Sequence, residues 1–124
     1  MKLKNIQMES MIDLLEKYLD RRDLIGYAAA RNTRILQSQS QEYFDRREEL
    51  ITKYGEPVVD ELGQKTGQYK LAFSSPKWPD YEKDITLYAM LEHEVTLFTI
   101  DYSEAIGILT GSELLELDWM FEEK

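Results

Sequence analysis

The sequence predicts an α+β fold: one helix-dominated domain over residues 1–124, with a long helical hairpin, a small β-hairpin and one further strand. Three observations support this fold class. Apolar residues recur at helical spacing through the first 54 residues, glycines at 63 and 67 separate two strand-like runs, and residues 94–101 are rich in β-branched and aromatic side chains. A chain of 124 residues that is 43% hydrophobic can bury one packed core.

Residues 3–6 are expected to form a short strand or simply a lead-in, and the first helix, with Asn5 as its N-cap, to run to about residue 20. Apolar residues in this segment recur at a spacing that puts them on one side of a helix, and the charged residues fall on the opposite side. The stripe consists of Met8, Met11, Ile12, Leu15, Tyr18 and Leu19.

A second, longer helix is predicted over residues 24–54, ended by Gly55 with Pro57 just beyond. Leu36, Tyr43 and Leu50 are seven residues apart, which gives this helix an apolar side. Its middle, "QSQSQE", is polar all round. That composition fits a helix that leaves the body or pairs with another copy, and a break at this point is the competing interpretation.

The remaining elements follow from local signals. "GEPVVDELGQKTGQYKLAF" reads as a β-hairpin, residues 80–92 as a helix and residues 94–101 as a strand. The last helix is predicted to begin at Thr110 or Ser112, because Thr110 and Glu113 have the spacing of a capping box.

Charge is distributed unevenly along the chain, whose formal net charge is −9. Residues 1–79 contain twelve acidic and thirteen basic residues, whereas residues 80–124 contain twelve acidic and two basic residues. The second part therefore carries a net charge of −10, which disfavours direct binding of nucleic acid and favours a basic protein partner. With no cysteine and no run of ~20 apolar residues, we expect a cytoplasmic protein that does not enter a membrane.

Little in the sequence points to catalysis. His93, the only histidine, stands in "EHE", and neighbouring residues on a strand point to opposite faces, so a polar residue at a helix–strand junction is the favoured interpretation over a base or a ligand. One histidine without cysteine cannot supply a usual zinc site, and no calcium loop, phosphate loop or nucleophile elbow is present. We expect a protein that is not an enzyme and that has no cofactor and no metal.

Four arginines on the second helix could form a basic strip: Arg31, Arg34, Arg46 and Arg47. Asp45, Glu48 and Glu49 are interleaved with the second pair. Ion pairing along a solvated helix is therefore favoured over contact with nucleic acid.

The end of the chain, "ELLELDWMFEEK", combines five carboxylates with two large aromatic residues. On a helix, Leu114, Leu117 and Phe121 share the core face, while Leu115 and Trp119 lie on the far side. This outer pair either packs under a neighbouring element or forms a protein-binding spot, since tryptophan is enriched at interface hot spots. The candidate partner-binding residues, here and on the preceding acidic helix, are Asp80, Glu82, Asp84, Leu115, Glu116, Asp118, Trp119, Glu122 and Glu123.

Taken whole, the chain resembles a family of small phage and prophage proteins of unknown function. The resemblance lies in the "MKLKN" opening, "GEPVVDELGQKTGQYKL", "EHEVTLFTI" and "LTGSELLELDWMFEE". It brings no catalytic residues and implies a setting, that of a phage-encoded accessory protein in the cytoplasm of a bacterial host cell.

Two functions from different classes follow. The first is an inhibitor that covers a basic surface of a host nucleic-acid enzyme, such as a CRISPR nuclease, whose guide and target channels are positively charged. The alternative is a structural or assembly protein that self-associates through the row of Leu36, Tyr43 and Leu50, and a homodimer stays open in either case.

Overall fold

The computed structural model describes residues 1–123 of the chain. This part contains five α-helices and six short strands, joined by turns and loops. The helix-dominated α+β class is confirmed. The helices are α1 (Asn5–Glu16), α2 (Leu24–Gln39), α3 (Gln41–Tyr54), α4 (Trp78–Ala89) and α5 (Gly111–Glu116), and the strands are β1 (Lys2–Lys4), β2 (Glu56–Val59), β3 (Lys65–Lys70), β4 (Glu92–Glu94), β5 (Ile100–Asp101) and β6 (Phe121–Glu122).

The strands form three separate pairs. β1 pairs with β4 and β2 pairs with β3, both antiparallel, whereas β5 and β6 are parallel. The β2–β3 hairpin confirms the prediction for this segment. Neither of its strands contributes a buried residue.

The single helix predicted over residues 24–54 is wrong, and the competing break in "QSQSQE" is right. α2 ends before Ser40, which is fully buried and adopts φ −103° and ψ 9°. The Ser40 hydroxyl donates a 2.6 Å hydrogen bond to the Leu36 carbonyl oxygen. Serine bonds of this kind to the preceding turn are known to bend helices.

The bend separates two hydrophobic clusters. The first cluster lies on α1, α2 and the C-terminal part of the chain; its buried members are Leu3, Met8, Leu15, Tyr18, Ile25, Ala28, Ala29, Leu36, Val95, Ile100, Ala105, Leu109, Leu117, Met120 and Phe121. The second cluster lies between α3 and α4; its buried members are Tyr43, Tyr81, Ile85 and Ala89. Leu36 and Tyr43, expected on one helix face, thus pack in different clusters.

The strand predicted over residues 94–101 is wrong over residues 95–99, which have no strand partner. The buried side chain of Asn32, on α2, supplies hydrogen bonds to the backbone of Phe98 instead. Strand propensity reports a side chain that fits a pleated surface, and it does not reveal whether a neighbouring strand exists.

The last helix begins as predicted and ends early. The Thr110 hydroxyl accepts a hydrogen bond from the Glu113 backbone N–H at 3.2 Å, and Glu113 Oε1 accepts one from the Thr110 N–H at 2.9 Å. α5 then stops at Glu116, because Asp118–Met120 form a 3₁₀ turn and Phe121 pairs with Ile100 in the β5–β6 ladder. None of the helices within residues 1–123 has the length and apolar character that crossing a membrane requires.

A candidate protein-binding surface

The apolar spot expected on the last helix does not form as predicted. Leu115 is 80% exposed, but Trp119 lies beyond the end of α5, is half-buried and packs against the first cluster. The first interpretation of Trp119, that it packs under its neighbours, is therefore right. Of the expected core-facing residues, Leu117 and Phe121 are buried and Leu114 is half-buried.

Glu116, at the end of α5, is held by the two residues that follow α1. Its Oε2 lies 2.8 Å from Lys17 Nζ and accepts a 2.9 Å hydrogen bond from the Tyr18 hydroxyl. Lys17 and then Tyr18 lower the pKa of Glu116, whereas burial and the nearby Glu116 raise the pKa of Tyr18. Glu116 is thus neutralised from within the chain. Asp118, Glu122 and Glu123 are exposed at the surface.

Upstream bases also face the acidic strand β4. Lys2 lies opposite Glu94 and Lys4 lies opposite Glu92 in the β1–β4 ladder, and the N-terminal ammonium is 2.8 Å from Glu94 Oε1. Opposite charges at such cross-strand positions stabilise the pairing modestly. These carboxylates therefore add little to a field directed at a partner.

The other candidate carboxylates, Asp80, Glu82 and Asp84, lie on α4, which packs in the second cluster. The C-terminal candidates belong instead to the segment that packs in the first cluster. The nine candidate residues therefore lie on segments that pack in two different clusters.

An exposed aromatic row stands at the start of α4, and one candidate carboxylate, Glu82, contacts it. The Phe73 ring is 80% exposed and its centroid lies 4.8 Å from that of Trp78, which in turn lies 5.0 Å from that of Tyr81. Tyr81 is buried in the second cluster, so it fixes the half-buried Trp78 and, through it, the exposed Phe73. We call this row together with Glu82 the Trp78 surface; its members are Phe73, Trp78, Tyr81 and Glu82. Asp80 and Asp84 each stand two residues from Glu82 and therefore lie on the other side of α4.

Two carboxylates of α4 are positioned by neutral donors. Trp78 Nε1 donates a 3.1 Å hydrogen bond to Glu82 Oε2, and the Tyr54 hydroxyl donates a 2.6 Å hydrogen bond to Asp84 Oδ2. The Asp84 carboxylate raises the pKa of Tyr54, which keeps this phenol a donor. No basic side chain within residues 1–123 forms an ion pair with Asp80, Glu82 or Asp84. Their negative charge is therefore not neutralised inside this part of the chain.

A signal for this surface is present in "FSSPKWPDYEKD". The acids at positions 80, 82 and 84 alternate along the first turns of α4, and aromatic residues stand at positions 73, 78 and 81. α4 begins at Trp78, two residues before the predicted start, with Pro79 in its first turn, where a missing N–H costs nothing. This earlier start places Trp78 on the helix, one turn before Tyr81 and Glu82.

His93 lies in the wall of a small cavity of about 100 Å³ rather than among convergent carboxylates. Asn5 shares this wall. Asn5 is the first residue of α1 rather than its N-cap; its Nδ2 donates to the Tyr88 carbonyl oxygen at 2.7 Å, and its Oδ1 has no hydrogen-bond partner among the described residues. No group of three or more His, Asp or Glu side chains that could hold a metal ion occurs in residues 1–123.

Comparison of the chain with protein-family models, with curated proteins and with solved structures finds no match in any of the three.

Proposed function

We propose that this chain is a non-catalytic acidic binding protein that attaches to a basic surface of another protein through its Trp78 surface. The observation that carries the proposal is the exposed Phe73 ring, which packs at 4.8 Å against Trp78, and the neighbouring Glu82, which accepts a hydrogen bond from Trp78 and forms no ion pair with residues 1–123. Aromatic side chains held in place in the free protein lose little conformational entropy on binding.

The charge of α4 supports a cationic partner. Asp80 and Glu82 are exposed, and Lys83 is the only base on α4. Complementary charge around an aromatic centre steers the encounter and fixes the register of the complex, while the desolvated ring supplies affinity.

Nucleic-acid enzymes are the partner class that we propose, because their binding channels are basic and evenly spaced carboxylates can take the place of phosphates. CRISPR nucleases of a bacterial host belong to this class. The resemblance to phage and prophage proteins supports the same setting, in which an inhibitor of such an enzyme benefits the phage.

The alternative, a protein that self-associates through the row of Leu36, Tyr43 and Leu50, has less support. Leu36 and Tyr43 are buried within the chain, and Leu50 packs against the second cluster. These three residues therefore pack inside the chain, on both sides of the bend at Ser40, and do not form an apolar row for a second copy.

Affinity capture from bacterial lysate, followed by mass spectrometry at low and high salt, tests the proposal. We expect capture of basic nucleic-acid-handling proteins that weakens as salt rises, because surface charges are screened. The double variant Asp80→Asn/Glu82→Gln and the variant Phe73→Ala should each reduce the captured amount at least tenfold, equivalent to about 1.4 kcal/mol. These side chains are exposed, so all variants should stay folded by circular dichroism.

Leu115→Ala is the matched control, because Leu115 has the same exposed fraction as Phe73 but lies on α5. The captured proteins should be unchanged in this variant. An equal loss of captured protein with Leu115→Ala and Phe73→Ala would contradict the proposal. So would a captured amount that changes neither with salt nor with removal of the α4 carboxylates.

A further inference from the structure

A basic groove runs along the outer side of α2. Its charge is opposite in sign to that of the acidic Trp78 surface. It has a volume of about 410 Å³ and is lined by Tyr27, Ala30, Arg31, Arg34 and Ile35. Tyr27, Ala30, Arg31 and Arg34 are exposed. A volume of this size falls within the range of small-molecule sites.

Arg31 is held in a fixed position in this groove. Its guanidinium carbon lies 4.7 Å from the centroid of the Phe98 ring, and its Nη1 donates a 3.2 Å hydrogen bond to the Tyr27 hydroxyl. The Tyr27 and Phe98 rings meet edge to face, with centroids 5.7 Å apart and an interplanar angle of 81°. A guanidinium stacked on one ring and bonded to another loses little freedom when it binds an anion.

The support under Arg31 is itself rigid. Asn32 Nδ2 donates to the Phe98 carbonyl oxygen at 2.9 Å, and the Phe98 N–H donates to Asn32 Oδ1 at 2.7 Å. Asn32 is fully buried, so these bonds are protected from water. They hold the Phe98 ring in place against α2.

Arg31 and Arg34 differ from the other two arginines of the predicted strip. Arg46 Nη1 lies 2.7 Å from Glu49 Oε2, which confirms the predicted ion pairing along the helix for Arg46. Arg47 forms its ion pair with Glu9 on α1 instead. Arg31 and Arg34 form no ion pair with any acid in the described part of the chain. In a chain of net charge −9, two such arginines one helical turn apart are left available to an external anion.

We propose that this groove binds a mononucleotide, that is, an aromatic base that carries a phosphate group. The guanidinium groups of Arg31 and Arg34 present the fork of donors that matches phosphate oxygens. Tyr27, 53% exposed, offers a ring for stacking of the base, with Ala30 and Ile35 as an apolar floor.

The charge of the chain selects a small ligand over a nucleic-acid strand. A long phosphate backbone that leaves the groove would meet the net negative charge of the protein, whereas a single phosphate is neutralised locally by two arginines. The groove is independent of the proposed protein-binding surface, since its residues lie on α2 and the Trp78 surface is on α4 and the segment before it.

Isothermal titration of the full chain with adenosine monophosphate tests this assignment, with inorganic phosphate, adenosine and a single-stranded oligonucleotide as separate arms. We expect the nucleotide to bind at least tenfold more tightly than phosphate or adenosine alone, since it uses the arginines and the tyrosine together. Arg34→Ala should weaken nucleotide binding at least tenfold without effect on folding, because Arg34 is exposed and makes no side-chain hydrogen bond or ion pair with residues 1–123. Arg31→Lys, which keeps the charge and loses the fork, should weaken it as well.

Arg22→Ala is the control, because Arg22 is exposed and has no ion pair in residues 1–123, yet does not line the groove. It should leave nucleotide affinity unchanged. Equal affinities for phosphate and nucleotide, equal losses in Arg22→Ala and Arg34→Ala, tighter binding of the oligonucleotide, or no binding at millimolar nucleotide would each overturn the proposal.

Discussion

The side-chain amide of Asn32 exchanges two hydrogen bonds with the backbone of Phe98, at 2.9 and 2.7 Å, in the way that a neighbouring strand would. The buried side chain of Asn32 therefore satisfies both the N–H and the carbonyl oxygen of Phe98, a residue that has no strand partner. The contact joins α2 to residues 95–99, and Val95 and Ile100, at the two sides of this contact, are buried in the first cluster.

Replacement of Asn32 by leucine should destabilise the protein by about 2–6 kcal/mol, because two partly buried backbone groups of Phe98 each lose their partner at about 1–3 kcal/mol. Urea denaturation followed by circular dichroism measures the change. Gln37→Ala, an exposed substitution on the same helix, should stay within about 0.5 kcal/mol of the wild type. Similar losses in the two variants would show that the Phe98 backbone does not depend on Asn32.

Stability should depend on pH through Glu116. Lys17 and then Tyr18 hold the pKa of this carboxylate below its usual value of 4.5. A lowered folded-state pKa stabilises the fold above the unfolded-state pKa, and this contribution disappears as the pH falls through the folded-state value. The wild type should therefore be more stable than Glu116→Gln at pH 7, with a difference that shrinks as the pH drops below about 4.5.

Thermal unfolding at several pH values between 3 and 7 measures this difference. Glu104→Gln removes the same charge from an exposed position without an ion pair to residues 1–123, and it serves as the control. A gap between wild type and Glu116→Gln that stays constant over the whole pH range would rule out the linkage.

Two glycines should respond in opposite directions to alanine. A Cβ at Gly26, in the first turn of α2, would overlap the backbone carbonyl oxygen of Arg21, which cannot move as a side chain can. We expect Gly26→Ala to cost about 1–3 kcal/mol. At Gly111, the first residue of α5, a Cβ meets no atom within 4 Å, so Gly111→Ala should gain about 0.4–1 kcal/mol from the reduced freedom of the unfolded chain. Urea midpoints of both variants, measured side by side, would expose a wrong sign in either case.

The capping box of α5 should contribute measurably to stability. Thr110→Ala removes the acceptor for the Glu113 N–H and should cost about 1 kcal/mol. Ser112→Ala, at an exposed position inside the same helix, should be nearly neutral. Chemical denaturation of both variants checks this, and indistinguishable midpoints would mean that the helix start is held by its packing alone.

Local signals in the sequence were sufficient for the elements whose cause is local. The Thr110–Glu113 spacing located the start of α5, and the glycines located the β2–β3 hairpin, although Gly67 lies inside β3 and not in the turn. The apolar stripe located α1, which ends at Glu16 and not at about residue 20 as predicted. The end of α5 was missed because residues 112–121 contain neither glycine nor proline. What stops the helix is the distant pairing of Phe121 with Ile100, which no local pattern reveals.

The surface residues were harder to predict for a related reason. Helical spacing correctly placed Leu115 on the outer side of α5. The same spacing placed Trp119 beside it, but this required the helix to continue past Glu116, where it ends. The Trp78 surface depends on a loop residue, Phe73, that folds back onto the first turn of α4. Sequence separation alone does not determine such a contact. The role of these residues in partner binding stays a prediction.

The β2–β3 hairpin has a practical consequence. All six residues of β3 are open to solvent, and the turn at Gly63 has no neighbouring atom within 4 Å of a Cβ built there. Insertions at this turn therefore disturb no packed interior. A fluorophore or an affinity tag can be introduced there for measurements on the intact molecule, away from both the arginine groove and the tryptophan of α4.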